Sequence, residues 1–233
     1  MINDESLHAV DAAQWTPQFI KPLYESYGFA QLPSLILSLF AGIDKTGVTP
    51  RLLGPLAGQY DKVVLFFIDA LGWRFFEHYH SQYPFLDGLV RDGVVCKLTS
   101  QFPSTTAAHV TTIHTGLPVG QSGVYEWFYY EPRVDALIAP LMFSFAGDRA
   151  RNTLCLTPIT PEAIYPRCTL YQELCALGIR SFLFQHKDYT PSPYSNVVFR
   201  GADVVPYHTL SEAMVTLTHL LLNVAGPAYY FLY

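Results

Sequence analysis

The chain has 233 residues, half of them hydrophobic and only 14% charged, with a net charge of −5. Ordinary globular chains carry about 25% charged residues, so this composition suits one domain with a large core and implies that much of the surface is covered, by a partner or by further sequence. No Lys/Arg cluster appears, which excludes nucleic-acid binding driven by phosphate contacts.

The four cysteines are Cys96, Cys155, Cys168 and Cys175. None forms a C-x-x-C pair, which argues against a zinc knuckle or redox motif and for reduced, mostly buried thiols in a cytoplasmic protein. Met1 to Asp11 is acidic and polar, wrong for a signal peptide. The apolar patch Leu35 to Gly42 is too short to span a bilayer, so no membrane partner is expected.

In chain order, residues 1–58 read as a helical N-terminal segment broken by Pro33, Gly47, Pro50 and Pro55. Residues 59–233 read as one α/β domain. Val63 to Ile68 is an uninterrupted β-favouring run, as in a strand buried on both faces. Gly72 to Tyr79 predicts a helix, Val94 to Phe102 a second strand, and Thr106 to His114 a second helix closed by Gly116. Residues 117–152 are rich in aromatics and turn formers and read as an irregular lid or inserted subregion.

Regular spacing returns after Pro166. Thr169 to Leu177 predicts a helix stopped by Gly178, Ile179 to Gln185 a strand, Thr209 to Asn223 a long amphipathic helix, and Ala228 to Tyr233 a last strand. Strands alternating with helices imply a mostly parallel sheet with helices on both faces, which binds ligands at the carboxyl ends of its strands.

Two residues stand out against that pattern. Asp69 follows the first apolar run, where a carboxylate serves equally well as a turn or capping residue or as a metal ligand. Thr106 lies in Pro103-Ser104-Thr105-Thr106 at a helix start. One of these hydroxyls must cap the helix, and Ser104 or Thr105 can do so. A hydroxyl in the same place is also set to attack a phosphoryl group, because free N–H groups and the helix dipole attract anions there. His109, one turn on, is within reach of a ligand at that helix end. His114 reads as a packing or capping residue.

Competing motifs fail. Gly42-Ile43-Asp44-Lys45-Thr46-Gly47 lacks the order of a P-loop, Gly120-Gln121-Ser122-Gly123 is not a nucleophile elbow, and no strand is followed by G-x-G-x-x-G. The aromatics Tyr125, Trp127, Phe128, Tyr129 and Tyr130 suit either stacking of a base or simple packing.

Val64-Leu65-Phe66-Phe67-Ile68-Asp69-Ala70-Leu71-Gly72, Phe102-Pro103-Ser104-Thr105-Thr106 and Thr115-Gly116-Leu117-Pro118 together resemble the type I phosphodiesterase/nucleotide pyrophosphatase branch of the alkaline phosphatase superfamily. Thr169 to Gly178, Gly201-Ala202 and Tyr230-Phe231-Leu232-Tyr233 extend the likeness over residues 60–233. The resemblance implies a three-layer α/β/α sandwich and a metal-dependent hydrolase of phosphate esters, phosphodiesters or nucleotide-like small molecules. It implies two divalent metal ions, usually zinc, with Asp69 and Thr106 as metal ligands and Thr106 as the nucleophile. His109 stands where relatives carry a phosphate-binding Asn, which makes it a substrate-binding candidate.

The family's remaining Asp and His ligands follow a strand matching Ala228 to Tyr233, and Asp188, Asp203, His186 and His208 do not match their motifs. The resemblance therefore implies the N-terminal portion of a longer enzyme, incomplete or inactive by itself. With the cover of the last strand missing, a homo-oligomer is expected, joined near Ala228 to Tyr233 or Tyr125 to Tyr130. The rival reading is a non-catalytic binding or scaffold protein that keeps the fold without a complete metal site.

Overall fold

The described residues of the computed structural model, 1–42, 47 and 49–233, divide into two units. Most of the Gly42–Gly47 stretch set aside as a P-loop lies outside them. One unit comprises residues 1–59 and 68–101, the other residues 60–67 and 102–233.

The first unit holds α1 (Asp4–Ala12), a short antiparallel pair β1 (Gln14–Thr16) and β2 (Phe19–Ile20), then α2 (Leu32–Ala41), α3 (Thr49–Leu53), α4 (Trp73–Tyr79) and α5 (Pro84–Asp92). Asn3 starts α1 by accepting the Ser6 N–H at 3.0 Å, as an Asx cap should. The opening segment, read from the sequence as helical, holds α1, α2 and α3 together with this hairpin.

Val94 to Phe102 departs from expectation. It joins no parallel sheet but runs as an extended segment with two isolated parallel bridges, Val95 to Ile2 and Thr99 to Gly28. The Val95 N–H donates to Met1 O and the Asn3 N–H to Val95 O, each at 2.9 Å; the Thr99 N–H donates to Tyr27 O and the Phe29 N–H to Thr99 O, also at 2.9 Å. A β-favouring run demands backbone partners without specifying which, and here the N-terminal segment supplies them. Gly28 is needed for that approach, since a Cβ there would lie 2.3 Å from Leu23 O. Val10, Tyr27 and Leu52 are buried beneath this seam.

The second unit is built on a four-strand parallel sheet in the order β3 (Lys62–Phe66), β9 (Ala228–Leu232), β7 (Arg180–His186), β8 (Asp203–Tyr207). Around it lie α6 (Thr106–Thr115), α7 (Val119–Ser122), α8 (Pro161–Ile164), α9 (Leu170–Ala176), α10 (Pro193–Val198) and α11 (Leu210–Asn223). Strand alternation sorts the helices into layers. Tyr230 and Leu232 share one face with Phe182, Phe184 and Tyr207, and α11 covers them through Ala213 and Leu217. Tyr229 and Phe231 point the other way, toward Tyr171 of α9 and His114 of α6. This is the expected α/β/α sandwich.

Two expectations about the sheet are corrected. The Val63 to Ile68 run is not buried on both faces, because β3 stands at the edge: Lys62 to Leu65 are half-buried and Phe66 is 47% exposed. Ala228 to Leu232 is wholly buried between β3 and β7, so the uncovered apolar surface expected there is not found. Residues 117–152 also prove more regular than a lid, for β4 (Tyr129–Glu131), β5 (Ala136–Ala139) and β6 (Ser144–Phe145) pair antiparallel. No helix of the described residues is long and apolar enough to cross a membrane.

Two clasps hold the layers. The Lys62 ammonium donates to Val224 O and Gly226 O, both at 2.7 Å, placing a cation on the carbonyls at the C-terminal end of α11. The Thr169 side chain caps α9 in a complete capping box with Gln172 and donates to Arg200 O at 2.5 Å. Gly201 follows at φ +94, and a Cβ there would come within 2.8 Å of Tyr171 C and Gln172 N. Gly201→Ala is therefore expected to destabilise the protein by about 2 kcal/mol or more, since both the left-handed backbone and the α9 backbone resist the methyl. Urea unfolding monitored by circular dichroism measures this, and an unchanged midpoint would refute it.

His114 is fully buried, with Nδ1 2.6 Å from the Tyr171 hydroxyl and edge-on rings of Phe199 and Phe231 beside it. Its Nε2 has no hydrogen-bond partner. Burial pushes its pKa down to about 3. Between the ordinary value near 6.5 and that value, the unfolded chain takes up a proton that the folded chain refuses. The stability given by the neutral ring is complete above about pH 6.5 and falls as pH drops toward 3, by about 1.4 kcal/mol per pH unit. In His114→Gln the acid slope of unfolding free energy should lose about one proton; equal slopes in both proteins would refute the assignment.

Candidate active site

Thr106 is the first residue of α6, a ten-residue helix that ends at Gly116 with φ +73. The helix sits where it does because nearly all of it is apolar enough, or bonded enough, to be buried: residues 107, 108 and 110–115 are buried, whereas Thr106 and His109 remain half-buried. Thr111 meets the Tyr194 hydroxyl at 3.0 Å, and Thr115 donates to Thr111 O at 2.7 Å, which satisfies its interior hydroxyls.

The capping question left open by the sequence is answered by Thr105. Its backbone is extended, its Oγ1 accepts the Ala108 N–H at 3.3 Å, and it donates to Tyr125 O at 2.9 Å. Ser104 is exposed. The cap is supplied by Thr105, so the Thr106 hydroxyl is not required for it.

His109 folds back on the same turn, with Nδ1 2.7 Å from Thr105 O. A carbonyl only accepts, so Nδ1 carries the proton of this bond. The bond holds the ring beside the helix start.

Asp69 belongs to the first unit and Thr106 and His109 to the second. Asp69 lies three residues past β3, in a turn. Its Oδ1 accepts the Ala70 N–H at 2.8 Å, and Ala70 is left-handed at φ +59. A non-glycine residue pays about 1–2 kcal/mol for that conformation, so the exposed carboxylate sits on a strained corner. Among the described residues no group of three or more His, Cys, Asp or Glu side chains stands where it could hold a metal ion. A catalytic zinc normally takes three protein ligands, and the residues present do not amount to that set.

The other acids and histidines weighed in the sequence lie elsewhere in the second unit. His186 ends β7 and His208 directly follows β8. His186 Nε2 lies 3.1 Å from His208 O, the Asp188 N–H donates to His186 Nδ1 at 3.2 Å, and Lys187 Nζ is 3.0 Å from His208 Nε2. Asp203 pairs with Arg180 at 2.9 Å. The histidine group thus stands at the carboxyl ends of these strands and the Asp203–Arg180 pair at their amino ends.

The bond from Thr105 to Tyr125 ties the aromatic segment to the start of α6. The Tyr125 ring stacks on Tyr129 at 4.7 Å and 22°. Tyr129 is buried on β4, and burial followed by the nearby Glu131 carboxylate raises its pKa well above the ordinary tyrosine range. Glu131 is itself held low by Arg133, whose Nε donates to it at 2.6 Å. The sequence carries no spacing that would have revealed this contact, since twenty residues separate Thr105 from Tyr125.

Comparison with curated proteins and with solved structures gives no match. Residues 63–139, the stretch that carries Asp69, Thr106, His109 and Tyr125, match the family Type I phosphodiesterase / nucleotide pyrophosphatase, the same family that the motifs resemble.

Proposed function

We propose that this chain carries the nucleophile of a phosphoester or phosphodiester hydrolase, and that the nucleophile is Thr106. The family match supports phosphodiesterase or pyrophosphatase chemistry. The observation that carries the assignment is the division of labour at the start of α6: Thr105 caps, and Thr106 occupies the first turn, where helix N–H groups and the dipole favour a phosphoryl anion.

In the proposed reaction Thr106 Oγ attacks phosphorus and loses its proton. The ester oxygen departs with the bonding electron pair and is protonated, leaving a phosphothreonine. Water then attacks phosphorus, and the proton it releases returns to Thr106 Oγ. His109, anchored through Nδ1, turns Nε2 to a phosphoryl oxygen and donates to it when the ring is protonated. Asp69 would offer an oxygen ligand to a divalent metal, which would supply Lewis-acid polarisation of the phosphoryl group. Because the described residues do not gather a complete ligand set, no step is assigned to that metal. The same observation favours the second reading, a binding protein that retains the fold.

Hydrolysis of bis(4-nitrophenyl) phosphate, with and without added zinc, separates the two. Thr106→Ala is expected to lower turnover by about a thousandfold or more, and Thr106→Ser to recover part of it. Mass spectrometry of acid-quenched protein should find a 4-nitrophenylphosphoryl group on Thr106. Turnover unchanged in Thr106→Ala would remove the nucleophile assignment. Absence of turnover and of this adduct, with phosphate esters still bound, would favour the binding protein.

A further inference from the structure

We propose that the carboxyl ends of β7 and β8 are joined by an acid-released latch, in which neutral His186 and His208 hold the turn 187–189 and let it go when they take up protons. Two ring nitrogens there can only be acceptors. His186 Nδ1 receives the Asp188 N–H at 3.2 Å, and a backbone N–H only donates. His208 Nε2 lies 3.0 Å from Lys187 Nζ, and an ammonium has no lone pair to give. Neither nitrogen carries a proton in this arrangement, so each ring is neutral, with its proton on the other nitrogen. His186 Nε2 places that proton on His208 O at 3.1 Å, which closes a circuit from β7 through the turn to the end of β8. The backbone adds the Lys187 N–H to Tyr207 O and the Tyr189 N–H to His186 O, both at 2.9 Å.

A proton on either ring removes a bond and sets like against like. On His186 it turns Nδ1–H toward the Asp188 N–H, while the Asp188 carboxylate, 3.6 Å from the same nitrogen, becomes the better partner. The ring then exchanges a backbone donor for a side-chain acceptor. On His208 it sets an imidazolium against the Lys187 ammonium at 3.0 Å, a repulsion that the lysine relieves by leaving. The neighbours do not offset this. Tyr207 and Tyr189 lie against the His186 ring at 5.7 and 6.1 Å, and Arg151 donates to Asp188 O and stands over the Tyr189 ring. Glu212 of α11 accepts the His208 N–H at 2.8 Å, which holds its carboxyl below the usual carboxylate range. It stays ionised where histidines ordinarily titrate, near pH 6.5. With both rings neutral, Lys187 and Arg151 balance Asp188 and Glu212; two added protons leave this edge with an excess of two positive charges. The turn leads on to α10, so acid frees the connection between β7 and that helix.

Amide hydrogen exchange of the full chain, followed by NMR at about pH 7.5 and about pH 5 and corrected for intrinsic rates, tests the latch. The Lys187, Asp188 and Tyr189 amides should lose about tenfold or more of their protection in acid. Buried His114 lowers the stability of the whole unit over the same range. The Tyr229 to Phe231 amides of β9 therefore serve as the internal reference, and only loss in excess of theirs counts. The double variant His186→Gln with His208→Gln keeps an acceptor for each donor and removes both titrating groups, so its excess loss should vanish. The imidazole nitrogen-15 shifts of the unmodified chain give a check that needs no substitution. At the higher pH His186 should carry its proton on Nε2 alone and His208 on Nδ1 alone. The latch is overturned by an excess loss that persists in the double variant, by none in the unmodified chain, or by a proton on His186 Nδ1 or His208 Nε2 at the higher pH.

Discussion

The second unit depends on the burial of one strand. Ala228 to Leu232 presents five apolar or aromatic side chains in succession, and none of the five reaches solvent to more than 7%. Such a segment is stable only if both backbone edges are paired and both faces covered. β3 and β7 supply the edges in parallel register. On one face α11 closes over Tyr230 and Leu232; on the other His114 and Tyr171 close over Phe231 and Tyr229. The positions of α6, α9 and α11 are therefore consequences of one requirement rather than separate facts.

That requirement also leaves the start of α6 as the least buried part of the helix. A helix gripped along its length by the core has only its end left to offer a ligand. The first turn is the half-buried part, and it carries the side chains of Thr106 and His109. The cap on Thr105 and the His109 bond to its carbonyl then set the local order of donors and acceptors.

Much of this was legible in the sequence because it depends on local rules. Apolar runs located β3, β7 and β9, and Thr or Gly at the right offsets located α6, α9 and α11 nearly to the residue. The α/β/α layering followed from alternation. Partner choice was not legible. Val94 to Phe102 has strand composition, yet its hydrogen bonds go to Met1, Asn3, Tyr27 and Phe29, which no periodicity encodes. The edge position of β3 escaped for the same reason: six apolar residues indicate low polarity around a strand, but the number of neighbours is a property of the sheet. At the candidate site, residue types and spacing offered Thr106 and His109 beside a capping or structural reading, and the family resemblance chose Thr106 as the candidate nucleophile. The hydroxyl that caps, and the loop carbonyl it binds, emerged only from three-dimensional proximity.

The Lys62 clasp on the end of α11 bears on how the chain acquires its fold. Lys62 and Val224 are 162 residues apart, and β3 makes its parallel pairing with β9, which is synthesised long after it. At roughly 5–20 residues per second, synthesis leaves Val63, Val64, Leu65 and Phe66 without their native partner for about ten to thirty seconds. Contacts of that span close slowly even once the chain is whole. An apolar edge waiting that long is the natural point for a chaperone to hold, and the lysine at its head is a charged stop against pairing with the wrong strand in the interval.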